Sequence, residues 1–276
     1  MSIADDIFIK NCEEILGSGY TTMQEKVRPV WGDGTPAYTY KAFGIVNRYD
    51  LGVEFPMLTQ RYINYKLAWE EILWIWQKKS NRVADLNGKI WDSWAGEDGT
   101  IGKAYGYQMQ VKHRYKEGMF DQVDRVLYDL KHQPHSRRIM TNLYVHQDLH
   151  EMNLYPCAYS MTFNVTGNKL NAVLNQRSAD FLAANGFNVS QYALLLHLFA
   201  QVSGFEPGIF LHVIADAHIY DRHEPIVREL IQRPTFPAPK LWINPEVKDF
   251  YDFTLEDFAL VDYQYGEKIK GIPVAI

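Results

Sequence analysis

The chain has 276 residues, of which 28 are Lys or Arg and 33 are Asp or Glu, giving a net charge of −5. An acidic balance excludes nucleic-acid binding by bulk electrostatics, although basic groups can still be focused locally. Two cysteines, Cys12 and Cys157, exclude a thiolate metal cluster and a disulfide framework. They fit a reduced, cytoplasmic protein.

The opening MSIADDIFIK has two acids and no apolar h-region, so no secretory signal is expected. Ile3, Ile7, Phe8, Cys12, Ile15 and Leu16 then recur at helical spacing, stopped by Gly17 and Gly19. Cys12 lies on that apolar face and reads as a core filler. The pattern predicts further helices over Tyr65 to Lys78, Phe120 to His132 and Val189 to Val202. The last is apolar nearly all round, which marks a buried central helix ending at Gly204. The longest apolar stretch, Tyr192 to Phe205, is too short to span a bilayer.

Strands are predicted at Arg138 to Tyr144 and Gly208 to Ile214. A hairpin is predicted from Tyr159 to Val165 and Lys169 to Leu174, turned at Thr166-Gly167-Asn168. No repeat or Pro/Gly/Ser linker divides the chain. The expectation is one domain, residues 1–276, of class α+β, with a mixed, mainly antiparallel sheet and packed helices.

Residues suited to chemistry lie at the ends of these elements. Cys157 follows Pro156 just ahead of a strand. A lone Cys is commonly buried and inert, but nearby guanidinium groups would favour the nucleophilic thiolate. Arginines stand in Ser136-Arg137-Arg138, in Gln176-Arg177-Ser178 and at Arg28 beside Pro29. Their planar forks match phosphate oxygens, or else form surface ion pairs. Asn188 suits a helix N-cap and, alternatively, the O4 and N3–H edge of a uracil. His218 and Tyr220 alternate in Asp216-Ala217-His218-Ile219-Tyr220, so an extended segment puts them on one face. Glu71 enters a tryptophan-rich helix, where a dry setting would raise its pKa for acid/base work. Its neighbour Glu70 reads as solvated surface. Trp91 and Trp94 read as core or as a platform for a flat ligand.

Together these segments resemble the thymidylate synthase family. The resemblance runs in order through Asp33-Gly34-Thr35-Pro36, Glu71 to Gln77, Trp91-Asp92, Tyr105-Gly106, Ser136-Arg137-Arg138 and Pro156-Cys157. It continues through Gln176-Arg177-Ser178-Ala179-Asp180, Phe187-Asn188, Asp216 to Tyr220 and Pro273-Val274-Ala275-Ile276. It implies a homodimer that binds dUMP and a reduced folate, 5,10-methylenetetrahydrofolate, without a metal. By this resemblance Cys157 adds to C6 of dUMP, and Arg28, Arg177 and Ser178 hold the phosphate with Arg137 and Arg138 from the second subunit. Asn188 reads the uracil edge, and His218 and Tyr220 bind the 3′-hydroxyl. Glu71 anchors proton transfer, with Tyr105 near the C5 proton. Asp180, Trp91, Trp94 and the carboxylate of Ile276 serve the folate and closure over it.

The sequence departs from the family's frequent pattern at Ala158, where His is common, and at Ala183-Ala184-Asn185-Gly186, Thr162, Tyr144-Val145 and Ala215. None of these removes a group assigned to covalent chemistry. Two rival readings share the fold. A nucleotide hydroxymethylase would quench the methylene intermediate with water and form no dihydrofolate. A binding-only relative would not depend on Cys157.

Overall fold

The computed structural model describes residues 1–17 and 19–276. In chain order its main elements are α1 (Ile3–Gly17), β1 (Thr39–Asp50), α2 (Tyr65–Trp76), α3 (Gly106–Gln110), β2 (His113–Arg114), β3 (Met119–Phe120), α4 (Gln122–His132) and β4 (Met140–Asn142). They continue with β5 (Ala158–Thr166), β6 (Lys169–Asp180), α5 (Asn185–Ser203), β7 (Glu206–Tyr220), α6 (Glu224–Leu230), β8 (Lys240–Ile243) and β9 (Phe258–Val261).

The main sheet has the order β1-β7-β6-β5-β4. β6 and β7 pair in parallel, and the other three pairings are antiparallel. A parallel pair cannot be joined by a tight turn, and here α5 makes the crossover. That helix is apolar on every side because α2 covers it on one flank while β6 and β7 meet it on another. Gly204 ends it in the left-handed conformation at φ 78°, which only glycine adopts without cost. Asn64 caps α2 by accepting from Leu67 N–H, and Asp121 caps α4 by accepting from Asp124 N–H. No helix among the described residues is long and apolar enough to cross a membrane.

The α+β architecture and the mainly antiparallel sheet agree with expectation, and Cys12 is fully buried. The hairpin turns at Gly167, whose φ is 62°. Several boundaries move. The strand expected at Arg138 to Tyr144 shrinks to Met140–Asn142, where the register with β5 runs from Met140 opposite Thr162 to Asn142 opposite Ser160. Helix α2 stops at Trp76, α4 begins at Gln122 after its cap, and α5 begins at Asn185. Strands β6 and β7 run on to Asp180 and Tyr220. Arg177, Ser178, His218 and Tyr220 therefore sit within paired strands rather than after them. Strand β1 was not anticipated, nor were α6, β8 and β9. Glu70 is not solvated surface. It is 8% exposed and accepts from Asn87 through both the backbone N–H and the side-chain amide.

Candidate active site

Strand pairing converges the sequence-distant groups. Cys157 lies directly before β5, and its carbonyl accepts from Arg177 N–H at 2.9 Å. The register then slips between Ala158 and Ser160, a bulge that re-aims the strand end beside the cysteine. In the parallel β6/β7 pair Ser178 stands opposite Asp216 and Asp180 opposite His218. One end of the sheet thus carries Cys157, Arg177, Ser178, Asp180, His218 and Tyr220.

Arg177 is clamped at this end. Its Nε donates to the Pro156 carbonyl at 3.0 Å and its Nη2 to the Tyr155 carbonyl at 2.8 Å and to Cys157 Sγ at 3.6 Å. Burial pushes the Cys157 thiol up, and the cations of Arg177 and Arg28 and a hydrogen bond with Tyr105 only partly offset this. The guanidiniums thus pull toward the thiolate as expected, while desolvation acts against them and is the larger effect.

Tyr105 precedes α3 with φ 44° and ψ −106°, a conformation costly for a non-glycine residue by about 1–3 kcal/mol. The next residue explains how it is held. A Cβ on Gly106 would lie 1.9 Å from the Ser80 carbonyl oxygen, so only glycine lets the chain pass. Tyr105 Oη accepts from Cys157 N–H at 3.0 Å. Burial pushes the phenol well above its ordinary range.

Glu71 faces the same space from α2. Trp91 Nε1 donates to its Oε1 at 2.9 Å and Gln191 Nε2 to its Oε2 at 2.6 Å. Burial nonetheless pushes the carboxyl up to about 7, against both hydrogen bonds. Asn188 is not an N-cap, since Ala184 holds that position. Its Oδ1 accepts from Gln176 Nε2 at 3.1 Å, and its Nδ2 donates to Gln191 Oε1 at 3.2 Å. Gln176 Oε1 is in turn bonded to His212 Nε2 at 2.8 Å.

His218 is buried, with Nδ1 2.9 Å from Asp216 Oδ1, and its ring meets Tyr220 edge-on at 5.1 Å. Burial would raise the Asp216 carboxyl, but His218 and Lys41 pull it below its usual value. Burial acts on Asp180 in the same sense, and His223 reverses it. Asp180 Oδ1 accepts from Leu182 and Ala183 N–H, each at 3.0 Å, so the unusual Ala183 segment is tied to this carboxylate. Trp91 packs against Tyr105 at 5.2 Å and Trp94 at 5.7 Å, forming one wall. The C-terminal residue pairs with the segment after Arg28: Val30 N–H donates to the Ile276 carbonyl at 2.9 Å, and Ile276 N–H returns the bond at 3.0 Å.

Arg137 and Arg138 are not brought to this site. β4 runs antiparallel to β5, and Phe163 N–H donates to the Ile139 carbonyl. Arg138 therefore lies near the far end of β5, roughly 20 Å along the strand from Cys157 at about 3.3 Å per residue. Both arginines are exposed and line a surface cavity with Arg125, His132 and His135.

Sequence reasoning missed Gln176, Gln191 and His212. For Gln191 the available signal was a polar amide inside a helix apolar on all sides, which must find a partner when buried. Among the described residues no group of three or more His, Cys, Asp or Glu is placed to hold a metal.

The thymidylate synthase family model matches residues 6–276. A thymidylate synthase of Bacillus licheniformis is 44% identical over 274 residues, covering 98% of each chain. Thymidylate synthase 1 of Bacillus subtilis strain 168 is 45% identical over 262 residues, 93% of this chain and 94% of that one. Among solved structures, thermostable thymidylate synthase A from Bacillus subtilis superposes with a TM-score of 0.94 at 42% identity, covering 99% of both chains.

Proposed function

The chain belongs to the thymidylate synthase family, and from that premise we propose how its own residues carry the reaction. The protein is a methyltransferase that converts dUMP to dTMP. The co-substrate 5,10-methylenetetrahydrofolate supplies the one-carbon unit and then the hydride, leaving as dihydrofolate. Residues 1–276 are read as a single catalytic domain, working in the cytoplasm as fits two free cysteines.

Cys157 is the nucleophile. It adds to C6 of the uracil ring, which makes C5 nucleophilic and divides one hard step into easier ones. Arg177 holds Sγ and, with Arg28 and Ser178, receives the phosphate. Asn188 meets the O4 and N3–H edge, where charge develops after addition. His218 and Tyr220 hold the 3′-hydroxyl. Glu71, with a pKa near 7, exchanges protons at working pH, and Tyr105 stands at the C5 proton. Trp91, Trp94 and Asp180 line the folate side, and the Ile276 carboxylate closes over both ligands and excludes water.

The phosphate site needs a second copy. Arg137 and Arg138 lie too far along the sheet to reach their own Cys157, so they are read as serving the partner's site. The face available for pairing carries Thr162, Val173, Leu211 and Arg48 in one cross-strand row, with Val46 beside Val213 in the next. Val46 is 56% exposed and Phe43 90%, apolar surface that a self-complementary interface would cover.

The observation that carries the reading is the Arg177 clamp on Cys157. Its test is to mix purified protein with dUMP and 5,10-methylenetetrahydrofolate and follow dihydrofolate by absorbance. Formation that requires dUMP and is lost in Cys157→Ser supports the assignment. Equal turnover in Cys157→Ser overturns it.

A further inference from the structure

Gln191 sits on the first turns of α5, only 3% exposed, between two groups assigned above to different tasks. Its Nε2 donates to Glu71 Oε2 at 2.6 Å, and its Oε1 accepts from Asn188 Nδ2 at 3.2 Å. We propose that Gln191 is a positioning residue that fixes the orientation of the Asn188 amide and makes Glu71 an acceptor on both carboxyl oxygens, so that base reading and proton exchange share one hydrogen-bond chain. This rests on the roles proposed for Glu71 and Asn188.

The chain is directional because one end is anchored on backbone. Gln176 Nε2 donates to the Ser178 carbonyl at 2.9 Å and to Asn188 Oδ1 at 3.1 Å. A carbonyl can only accept, so Gln176 must present its NH2 here. Asn188 must then present its oxygen to Gln176 and its NH2 to Gln191. Gln191 in turn presents its oxygen to Asn188 and its NH2 to Glu71. With Trp91 N–H on the other oxygen, a proton arriving at Glu71 finds both carboxyl oxygens already met by donors. It must take a remaining lone-pair direction, in competition with those bonds. Aligned bonds of this kind polarise one another, and a half-satisfied buried network is costly. The other titratable groups around this chain are His212, whose ring meets the Gln176 oxygen and whose pKa burial lowers to about 3, Cys157 before β5, whose thiol burial pushes up, and Tyr105 ahead of α3 and Tyr192 on α5. Burial pushes both phenols up, so they face Glu71 uncharged.

Two full-length variants test the idea against the unaltered protein. Gln191→Met keeps length and removes both bonds. Gln191→Glu keeps an acceptor for Asn188 but sets a second carboxyl against Glu71. The readouts are kcat against pH for dUMP-dependent dihydrofolate formation, and the dissociation constants of dUMP and dCMP by titration calorimetry. In Gln191→Met the rising limb of kcat, which follows ionisation of Glu71, should move up by about one pH unit. The preference for dUMP over dCMP should fall about tenfold. In Gln191→Glu the limb should move up as well, because neighbouring carboxyls disfavour each other's ionisation, while the dUMP preference is retained. A folded Gln191→Met with both readouts unchanged overturns the proposal. If that variant does not fold, an unmoved limb in Gln191→Glu does so. Absence of dihydrofolate with the unaltered protein defeats the catalytic reading itself. Activity there with unmoved variants defeats only the role of Gln191.

Discussion

Arg177 engages Cys157 twice, with its backbone N–H on the cysteine carbonyl at 2.9 Å and its guanidinium on Sγ at 3.6 Å. The first contact is a strand-pairing bond and survives any side-chain change. The second is the one that acts on the thiol. Arg177→Ala should therefore keep the fold and push the Cys157 thiol further up, because burial then acts with less opposition. Alkylation by iodoacetamide at pH 8 should slow by about tenfold, as the thiolate fraction falls with a rise of about one pH unit. An unchanged alkylation rate would show that the side-chain contact does not tune the sulfur.

Glu71 gives a pH dependence with a definite sign. Its carboxyl has a pKa of about 7 in the folded protein against an ordinary value of 4.5. Between those values the folded protein binds more protons at this site than the unfolded chain. Stability must then fall as pH rises through that window and level off above it. The buried carboxyl's contribution amounts to roughly 3 kcal/mol across the window. Denaturant unfolding of the unaltered protein and of Glu71→Gln at several pH values isolates it. The difference in stability between the two should shrink or reverse by this amount between pH 4.5 and pH 8. Glu71→Gln should also lower kcat by about 10²–10⁴-fold if the group exchanges protons in the reaction.

Gly106 has a stability consequence that requires no catalytic assumption. Alanine there would place Cβ 1.9 Å from the Ser80 carbonyl oxygen, and that atom is backbone. Relief requires the turn at Tyr105 to move. Gly106→Ala should lose about 3 kcal/mol or more in urea unfolding, within the class of backbone clashes. Because Tyr105 Oη accepts from Cys157 N–H, turnover should fall further than the unfolded fraction explains.

Local features of the fold were legible where the sequence itself imposes them. Gly167 marks the hairpin because its turn needs a positive φ, and Gly204 marks the end of α5 for the same reason. Strand β1 escaped notice because Lys41, Asn47 and Arg48 and the positive-φ Gly44 break any simple alternation. Its pairing partner, β7, lies more than 150 residues away. The end of β6 reads as loop in the sequence because Asn175, Gln176, Arg177 and Ser178 are all polar. They are strand because their side chains find partners inside: Asn175 reaches Ser160, and Gln176 reaches Asn188 and His212. Cys157, Glu71, Asn188 and the arginines were readable as residue types in an order that resembles a family. The chain through Gln176 and Gln191 was not, because three-dimensional adjacency alone joins a strand amide, a helix amide and a carboxyl on another helix.

The separation of Arg138 from Cys157 along β5 leads to a complementation test. If each site takes its cysteine from one subunit and Arg137 and Arg138 from the other, Cys157→Ala and Arg138→Ala damage different halves of the same site. A homodimer of Cys157→Ala has no nucleophile. A homodimer of Arg138→Ala lacks a phosphate contact at both sites, and its KM for dUMP should rise. Equal amounts unfolded and refolded together should reassort at random, so that half the dimers are mixed and each mixed dimer holds one intact site. About a quarter of unaltered activity, at the unaltered KM, should then return. Recovery must require reassortment, so simple mixing of the folded dimers is the control. If Arg138 instead served its own subunit, every mixed dimer would carry one site without a cysteine and one without the arginine, and no unaltered-KM component would appear.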